Sequence, residues 1–589
     1  MLRNFWFHIS KKRRRQFWLI ILLMIISSVA EVISVGSVIP FLGILTEPDQ
    51  IYKNSFAQPI INYFNITSPK ELILPLTVIF ITAIIFANFI RLTLLYTLTR
   101  CSVATGSDIS IDMYRRTLHQ EFSIHMSRNS GEIINSIVNK TKILTQDIII
   151  PILIIISSTI ILIGIVTILL TINFTVSLLA FIIFSILYYI ITKLTKKQLT
   201  RNSLIVANNS TKMIKLLQEA LGGIRYVLID RKQSFYCHLF ENAVIPYWRA
   251  LANLRIFSQS PRFIIETIAL TFFAILAYLM SKDGNNITNS LPMLGALVLG
   301  AQRLIPVLQA LYGSYSTYVG AQASFNDILV LLDQPLPEEA EKNKNNQHIE
   351  KLPFEKKIFL SDLSFRYKDK TPWILRNVHL TINKGERIGF IGTTGSGKST
   401  LIDIIMGLLT PTNGEIYIDN QKIDMKNKSK WQANISHVPQ HIYISDSTIA
   451  ENIAFGVPKE HIDMIKLKKA ANQAKISDLI ESWKNGYNTI VGERGVLLSG
   501  GQLQRIGIAR ALYKQASLFI FDEATNALDN KTEDAVMRTI ENLQKDLTIL
   551  IIAHRLTTLK NCDKIIRINN KNIEIVKHNN KSVKNLETK

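Results

Sequence analysis

The chain changes its pattern of apolar and polar positions near the middle. Long apolar runs recur over the first part, at roughly 17–45, 72–98, 147–171, 175–192, 261–281 and 291–312. A helix needs roughly 20 apolar residues to cross about 30 Å of hydrocarbon, so six membrane-spanning helices are predicted. After Gly320 this pattern fades, and 333–350 (DQPLPEEAEKNKNNQHIE) is a polar linker. From about residue 355 short apolar strands alternate with helical segments, as in an α/β domain, and the last dozen residues (HNNKSVKNLETK) form a polar tail. The predicted division is an all-α transmembrane domain over 1–332, a linker over 333–352, an α/β domain over 353–578 and a tail over 579–589.

Lysine and arginine orient the spans. Lys11, Lys12, Arg13, Arg14 and Arg15 precede the first one. The segments 99–146 (Arg100, Arg115, Arg116, Arg128, Lys140, Lys142) and 193–255 (Lys193, Lys196, Lys197, Arg201, Lys212, Lys215) are also basic. The opposite connections are poor in positive charge: 46–71 holds Lys53 and Lys70, 172–174 none, and 282–290 only Lys282. The positive-inside rule then places both termini and the α/β domain in the cytoplasm, with the spans in an inner (cytoplasmic) membrane. The two long basic connections keep helical periodicity, so the helices are expected to continue well below the bilayer. The first apolar run exceeds a signal-peptide core and no small-residue cleavage pattern follows it, which marks a retained span.

Composition narrows the picture further. Hydrophobic residues make up 48% and charged residues 19% of 589 positions, so part of the chain belongs outside water. The net charge, 67 − 45 = +22, is read as a basic membrane face together with a lysine-rich composition, and no nucleic-acid partner is predicted. Three distant cysteines (Cys101, Cys237, Cys562) exclude a disulfide-rich scaffold and fit no metal-binding spacing.

The chemistry concentrates in the second half. Gly392-Thr393-Thr394-Gly395-Ser396-Gly397-Lys398-Ser399-Thr400 is a complete G-x-x-x-x-G-K-[ST] loop between an apolar strand and an apolar helix. Its glycines let backbone N–H groups turn around phosphate oxygens, and the helix N-terminus adds favourable partial charge. Lys398 is predicted to reach the β/γ-phosphates of ATP and Ser399 to ligate Mg²⁺. Farther on, Leu518-Phe-Ile-Phe-Asp522-Glu523 is a buried-strand pattern that ends in two carboxylates. Asp522 suits the Mg²⁺ contact, and Glu523 suits the orientation or deprotonation of an attacking water.

Between these motifs lies Leu498-Ser499-Gly500-Gly501-Gln502, the signature of ATP-binding-cassette (ABC) proteins, and the chain resembles that family along its whole length. Tyr367 is similar to the residue that stacks on adenine, and Gln440, in Val438-Pro-Gln, to the Q-loop glutamine that contacts the metal. Gly492-Glu-Arg-Gly495 resembles the segment that exporters set against intracellular helices. Asp529, in Ala527-Leu-Asp, matches the D-loop and His554, in Ala553-His-Arg, the switch histidine. The resemblance implies a half-transporter of the type IV exporter-like group: a six-helix transmembrane domain followed by an α/β P-loop nucleotide-binding domain. It also implies ATP and Mg²⁺ as cofactors and a head-to-tail homodimer that traps ATP between the loop of one copy and the signature of the other. Glu523 would be the base and His554 the γ-phosphate contact.

Ionisable residues inside spans are functional candidates because they are costly there. Glu31, Arg91, Arg262 and Arg303 meet that criterion. Arg303 lies about twelve residues into its span, and Glu31 is a candidate partner for it or for another arginine. Guanidinium groups facing a cavity suit a phosphate-bearing cargo. Residues 30–41, 260–266 and 301–306 resemble the matching segments of flippases for lipid-linked oligosaccharides, and Ile51–Phe64, with Pro59 inside it, is a candidate interfacial helix or an irregular loop. The expected function is therefore ATP-driven export or flipping of an amphiphile with an anionic head. Export of a peptide or small hydrophobic compound, or an ATP-gated channel, stands as the alternative.

Overall fold

The computed structural model describes residues 2–46, 49, 52, 58, 61–62, 68–172, 174–282, 287–336, 350–492, 495–523, 530–541, 547–552, 559 and 561–577. The chain forms two compact units, one of 1–120 with 128–336 and one of 121–127 with 337–589. Most of the expected linker, most of the Ile51–Phe64 segment and all of the expected tail lie outside the described residues.

The first unit is helical. Its long helices are α1 (Lys11–Gly36), α2 (Ile73–Leu118), α3 (Ile150–Ile172), α4 (Phe174–Gly222), α5 (Gln233–Lys282) and α6 (Ile287–Leu332). Among the described residues four stretches are long and apolar enough to cross a membrane: Lys11–Ser34, Pro69–Leu118, Ser130–Thr171 and Ser177–Gly222. The fifth and sixth expected spans fall in α5 and α6, and the side chains of 281–301 lie outside the described residues. Helix α2 has 46 residues and α4 has 49. At 1.5 Å per residue each is about 70 Å long, more than twice what the hydrocarbon requires.

Helix α1 packs on α2 and α3, α3 on α6, and α4 along α5. One apolar core joins Phe5, Met24, Met113, Leu144 and Phe325. Before α3 the backbone widens into π-helical turns at Ser136–Lys140 and Leu144–Ile149, a distortion that no local sequence pattern announces. Lys140 lies in the first of these turns, 3% exposed, with its Nζ 2.7 Å from Asp327 Oδ2. The ion pair offsets part of the cost of taking the Lys140 ammonium out of water.

The second unit holds two sheets. A four-stranded antiparallel sheet has the order β2-β1-β4-β5, with β1 at Lys357–Phe365, β2 at Leu375–Asn383, β4 at Asn413–Ile418 and β5 at Gln421–Lys422. A six-stranded sheet has the order β10-β9-β3-β8-β7-β6. Its strands are β3 (Arg387–Ile391), β6 (Ile435–Val438), β7 (Leu518–Asp522), β8 (Thr548–Ile552), β9 (Lys564–Asn569) and β10 (Asn572–Lys577). All its pairings are parallel except β9 with β10. Parallel strands are covered on both faces, and every residue of Thr548-Ile-Leu-Ile-Ile552 is buried. Two apolar cores result. One contains Leu401, Ile404, Ile520 and Trp431, the other Ile449, Ile506, Ile508 and Phe521.

Candidate active site

Strand register assembles the site. Ile552 pairs with Phe390 on one side and with Asp522 on the other, so the carboxyl ends of β3, β8 and β7 form one rim. Neighbouring strands lie about 4.8 Å apart, which sets Asp522 roughly 10 Å across the sheet from the end of β3. Crevices at the carboxyl ends of parallel strands are where α/β sheets bind ligands.

The chain leaves β3 through Gly392–Gly397 and enters helix α7 (Lys398–Ile405). Gly397 is the N-cap of α7, at φ +102. A Cβ there would meet Ile374 Cγ2 at 3.1 Å and Leu375 Cδ2 at 3.2 Å, so only glycine fits both the backbone and the space. Thr393, Thr394, Gly395 and Ser399 are exposed, whereas Lys398 and Thr400 are buried. Lys398 Nζ donates to the carbonyls of Gly392 (2.7 Å) and Thr393 (3.1 Å), which brings the ammonium over its own loop. Ser396 Oγ is buried and has no partner among the described residues, an acceptor and donor within the cradle itself.

Opposite stand the carboxylates. Glu523 follows β7 in the left-handed region at φ +50, and its backbone N–H donates to the carbonyl of Ile552 at 3.0 Å. A non-glycine residue in that region is strained and held by its surroundings. Gln440, two residues beyond β6, donates from Nε2 to Glu523 Oε2 at 2.9 Å. Burial, reinforced by Glu523, pushes the Asp522 carboxyl above its usual range, while Lys398 pulls it back. Burial likewise lowers Lys398, and Glu523 and Asp522 oppose that shift. A third acid joins them. Asp403, on α7, is pushed up to about 6 by burial and by Asp522. Sequence reasoning passed over it, although a lone acid inside Leu401-Ile-Asp-Ile-Ile405 is a visible break in an apolar run.

The oxygen set fits Mg²⁺: the Ser399 hydroxyl, the Asp522 carboxylate and the amide oxygen of Gln440 are hard donors, two of them neutral. Among the described residues no group of three or more His, Cys, Asp or Glu gathers to cage a metal. Tyr367 is half-exposed, packs edge-on against Phe365 at 5.1 Å, and shares a 3.2 Å hydrogen bond with Thr400 Oγ1.

The Ser499 motif caps helix α8 (Gly500–Lys514). Gln502 N–H donates to Ser499 Oγ at 3.3 Å, and Ser499 N–H donates to Gln502 Oε1 at 2.8 Å, a capping box. Ser499 and Gly500 are exposed, and Gly501 is half-buried. The body of α8 is anchored through Arg510, whose Nε and Nη1 donate to the carbonyls of Asn452 and Tyr443. Glu493, Arg494, Asp529 and His554 lie outside the described residues.

In the helical unit, Arg303 Nη1 donates to Glu31 Oε1 at 3.1 Å, joining α6 to α1. The Glu31 side chain is 10% exposed and that of Arg303 37%. Arg262 lies 3.8 Å from Glu266, one helical turn on, and Arg91 is exposed. The four predicted charges are thus not gathered: two form a pair across helices, and Arg262 pairs locally.

Comparison with known proteins agrees with this arrangement. The family description "ABC transporter transmembrane region" matches residues 17–301, and "ABC transporter" matches 375–526. Among similar proteins, an ATP-dependent lipid A-core flippase of Cupriavidus metallidurans is 26% identical over 80% of this chain and 78% of its own length. One from Francisella tularensis subsp. holarctica is 29% identical over 77% of this chain and 74% of its own. A bacterial Atm1-family ABC exporter with ATP bound shares the fold, at a TM-score of 0.74 and 22% identity over 96% of this chain and 95% of that one. With the membrane region first and the phosphate loop, signature helix and carboxylate rim after it, this chain belongs to the ABC transporters, as a membrane-spanning exporter with its own ATP-hydrolysing domain.

Proposed function

We propose that the protein is a flippase that works as a homodimer in a cytoplasmic-type inner membrane, with its termini and ATPase unit in the cytoplasm. It moves an amphiphile with a phosphate-bearing head, a lipid-linked oligosaccharide, from the inner to the outer leaflet. The observation that carries the cargo assignment is Arg303. Glu31 engages one end of its guanidinium, and the remaining N–H groups suit a bidentate phosphate contact. Glu31 tethers the guanidinium of α6 to α1; Arg91 and Arg262 are the other basic candidates for contact with the cargo. The relatives named lipid A-core flippases support a lipid cargo.

At the ATPase site the described residues have tasks that their positions support, and Asp529 and His554 take the roles that their motifs imply. Tyr367 stacks on adenine. The N–H groups of Gly392 to Thr400 and the Lys398 ammonium surround the phosphates, with phosphate oxygens replacing the Gly392 and Thr393 carbonyls as acceptors for Nζ. Ser399, Asp522 and Gln440 would hold Mg²⁺, which when bound would neutralise charge on the phosphates. Glu523 takes the proton of the attacking water, and Gln440 orients its carboxylate. Ser499, Gly500, Gly501 and Gln502 of the second copy close over the γ-phosphate with Asp529 at the seam, and His554 contacts it from within the same chain. Tyr367→Ala should raise the KM for ATP by about tenfold, since one base-on-aromatic stack is worth about 1–3 kcal/mol, and leave kcat nearly unchanged. Steady-state phosphate release against ATP concentration separates the two.

The deciding experiment is reconstitution into liposomes with a leaflet-resolved assay of a labelled polyprenyl-pyrophosphate glycan. Wild type should flip it in an ATP-dependent manner, and Arg303→Ala should flip it at least about tenfold more slowly, the worth of one charged hydrogen bond. Equal flipping by both removes Arg303 from the cargo path. ATP-dependent ion conductance without turnover points to a channel instead.

A further inference from the structure

Outside the ATPase site and the Glu31–Arg303 pair, the helical unit has a second feature suited to a ligand. A cleft of about 620 Å³ opens between α1 and α2. Arg13, Gln16 and Ile20 line it from α1, and Tyr96, Arg100 and Ser107 from α2. The α1 residues follow at i, i+3 and i+7, so they form one helical face. The helices run antiparallel, with Arg13 opposite Asp108 and Gln16 opposite Cys101. The cleft therefore has a basic end and an apolar end. Its apolar end is formed by Leu19, Ile20 and the Tyr96 ring, and it continues toward Leu92 and Leu95, which are exposed.

The two arginines differ in how their charge is used. Arg13 donates to Asp108 at 2.8 and 3.4 Å and to Gln16 at 2.9 Å, so its fork is engaged and its charge balanced. Arg100 makes no hydrogen bond or ion pair among the described residues. Its guanidinium lies 5.5 Å from the Tyr96 ring centroid, a contact that fixes the plane of the fork and leaves its N–H edge for a ligand. Arg14 points elsewhere, to the carbonyls of Ile9 and Phe7. The cleft thus carries one uncompensated cation where two apolar spans meet their basic flank.

We propose that this cleft binds one anionic phospholipid, with its phosphodiester on Arg100 and its acyl chains along Leu19, Ile20 and the exposed leucines of α2. Charge complementarity selects the occupant, since a zwitterionic headgroup brings its own cation beside Arg100. Basic pockets between membrane helices at headgroup level hold acidic lipids in the same way. The site is separate from the flippase cargo assignment and involves none of its residues.

The test uses the full-length protein in detergent, titrated with phosphatidylglycerol, with phosphatidylcholine of the same chains and inorganic phosphate as parallel arms. Bound lipid is counted by native mass spectrometry. Wild type should retain one phosphatidylglycerol per chain in preference to phosphatidylcholine, and Arg100→Gln should bind it about fivefold more weakly, the worth of one basic residue at a membrane surface. Arg100→Lys should recover part of the loss, because it restores the charge without the fork. Unchanged basal ATP hydrolysis in Arg100→Gln shows that the variant is folded. Equal retention of the two lipids by wild type, or equal phosphatidylglycerol binding by wild type and Arg100→Gln, overturns the proposal. Displacement of the lipid by inorganic phosphate alone overturns it in favour of a free-anion site.

Discussion

Glu523→Gln should bind ATP about as tightly as wild type while steady-state hydrolysis falls by roughly two to four orders of magnitude, the usual worth of a general base. The substitution removes a proton acceptor and almost nothing else. Gln has the same length, its backbone can keep the 3.0 Å bond to Ile552, and its amide oxygen can still accept from Gln440. Lys398 and the glycine loop, the proposed phosphate contacts, are untouched. One carboxylate is also lost beside Asp522, so the acid next to it should ionise more readily, since Glu523 helps hold Asp522 above its normal range. Nucleotide binding is therefore at least preserved. Phosphate release and equilibrium binding of labelled ATP, measured on the same preparation, check both halves. Wild-type turnover in the variant would move the base to another residue. Weakened binding would show that Glu523 serves mainly to hold the rim together.

Much of this rim was legible in the chain because its determinants are local. A complete phosphate loop after Arg387-Ile-Gly-Phe-Ile391, and two acids ending a buried run at Phe521, fix their own secondary structure. The neighbours do not. Gln440 reaches Glu523 only because β6 lies beside β7 in the sheet, an order set by packing around strands distant in sequence. Asp403 enters the group because α7 returns across the same rim, which periodicity cannot show. The membrane charges repeat the pattern. Hydropathy marked Glu31 and Arg303 as unusual, but their pairing joins residues 272 apart and depends on how α1 and α6 lie together. Lys140 was legible only as one more basic residue, and the π-helical turns that bury it against Asp327 left no trace in the apolar pattern.

If ATP is trapped between two copies, activity in mixed dimers must depend on which chain carries which lesion. The phosphate-loop helix packs in the core with Leu401 and Ile404, while the signature helix packs in the other, with Ile506 and Ile508. Ser499 and Gly500 end their helix exposed, so its N-terminal N–H groups suit an anion brought by a neighbour. Take Lys398→Ala, which removes the phosphate cation, and Ser499→Arg, which blocks the cap. When the two lesions sit on separate chains, a head-to-tail heterodimer pairs the intact loop of one chain with the intact signature of the other and keeps one working site. When both lesions sit on one chain and the partner is wild type, each composite site contains one lesion, and turnover should fall to the level of the double variant alone. A site completed within one chain predicts the reverse ranking. Co-expressed, doubly tagged heterodimers assayed for phosphate release give the answer, and the expected contrast is about tenfold or more, because losing a charged phosphate contact costs roughly 1.5–3 kcal/mol. The reverse ranking would mean that the copies act independently, equal rates would mean that the signature plays no part in turnover, and either result brings down the homodimeric clamp.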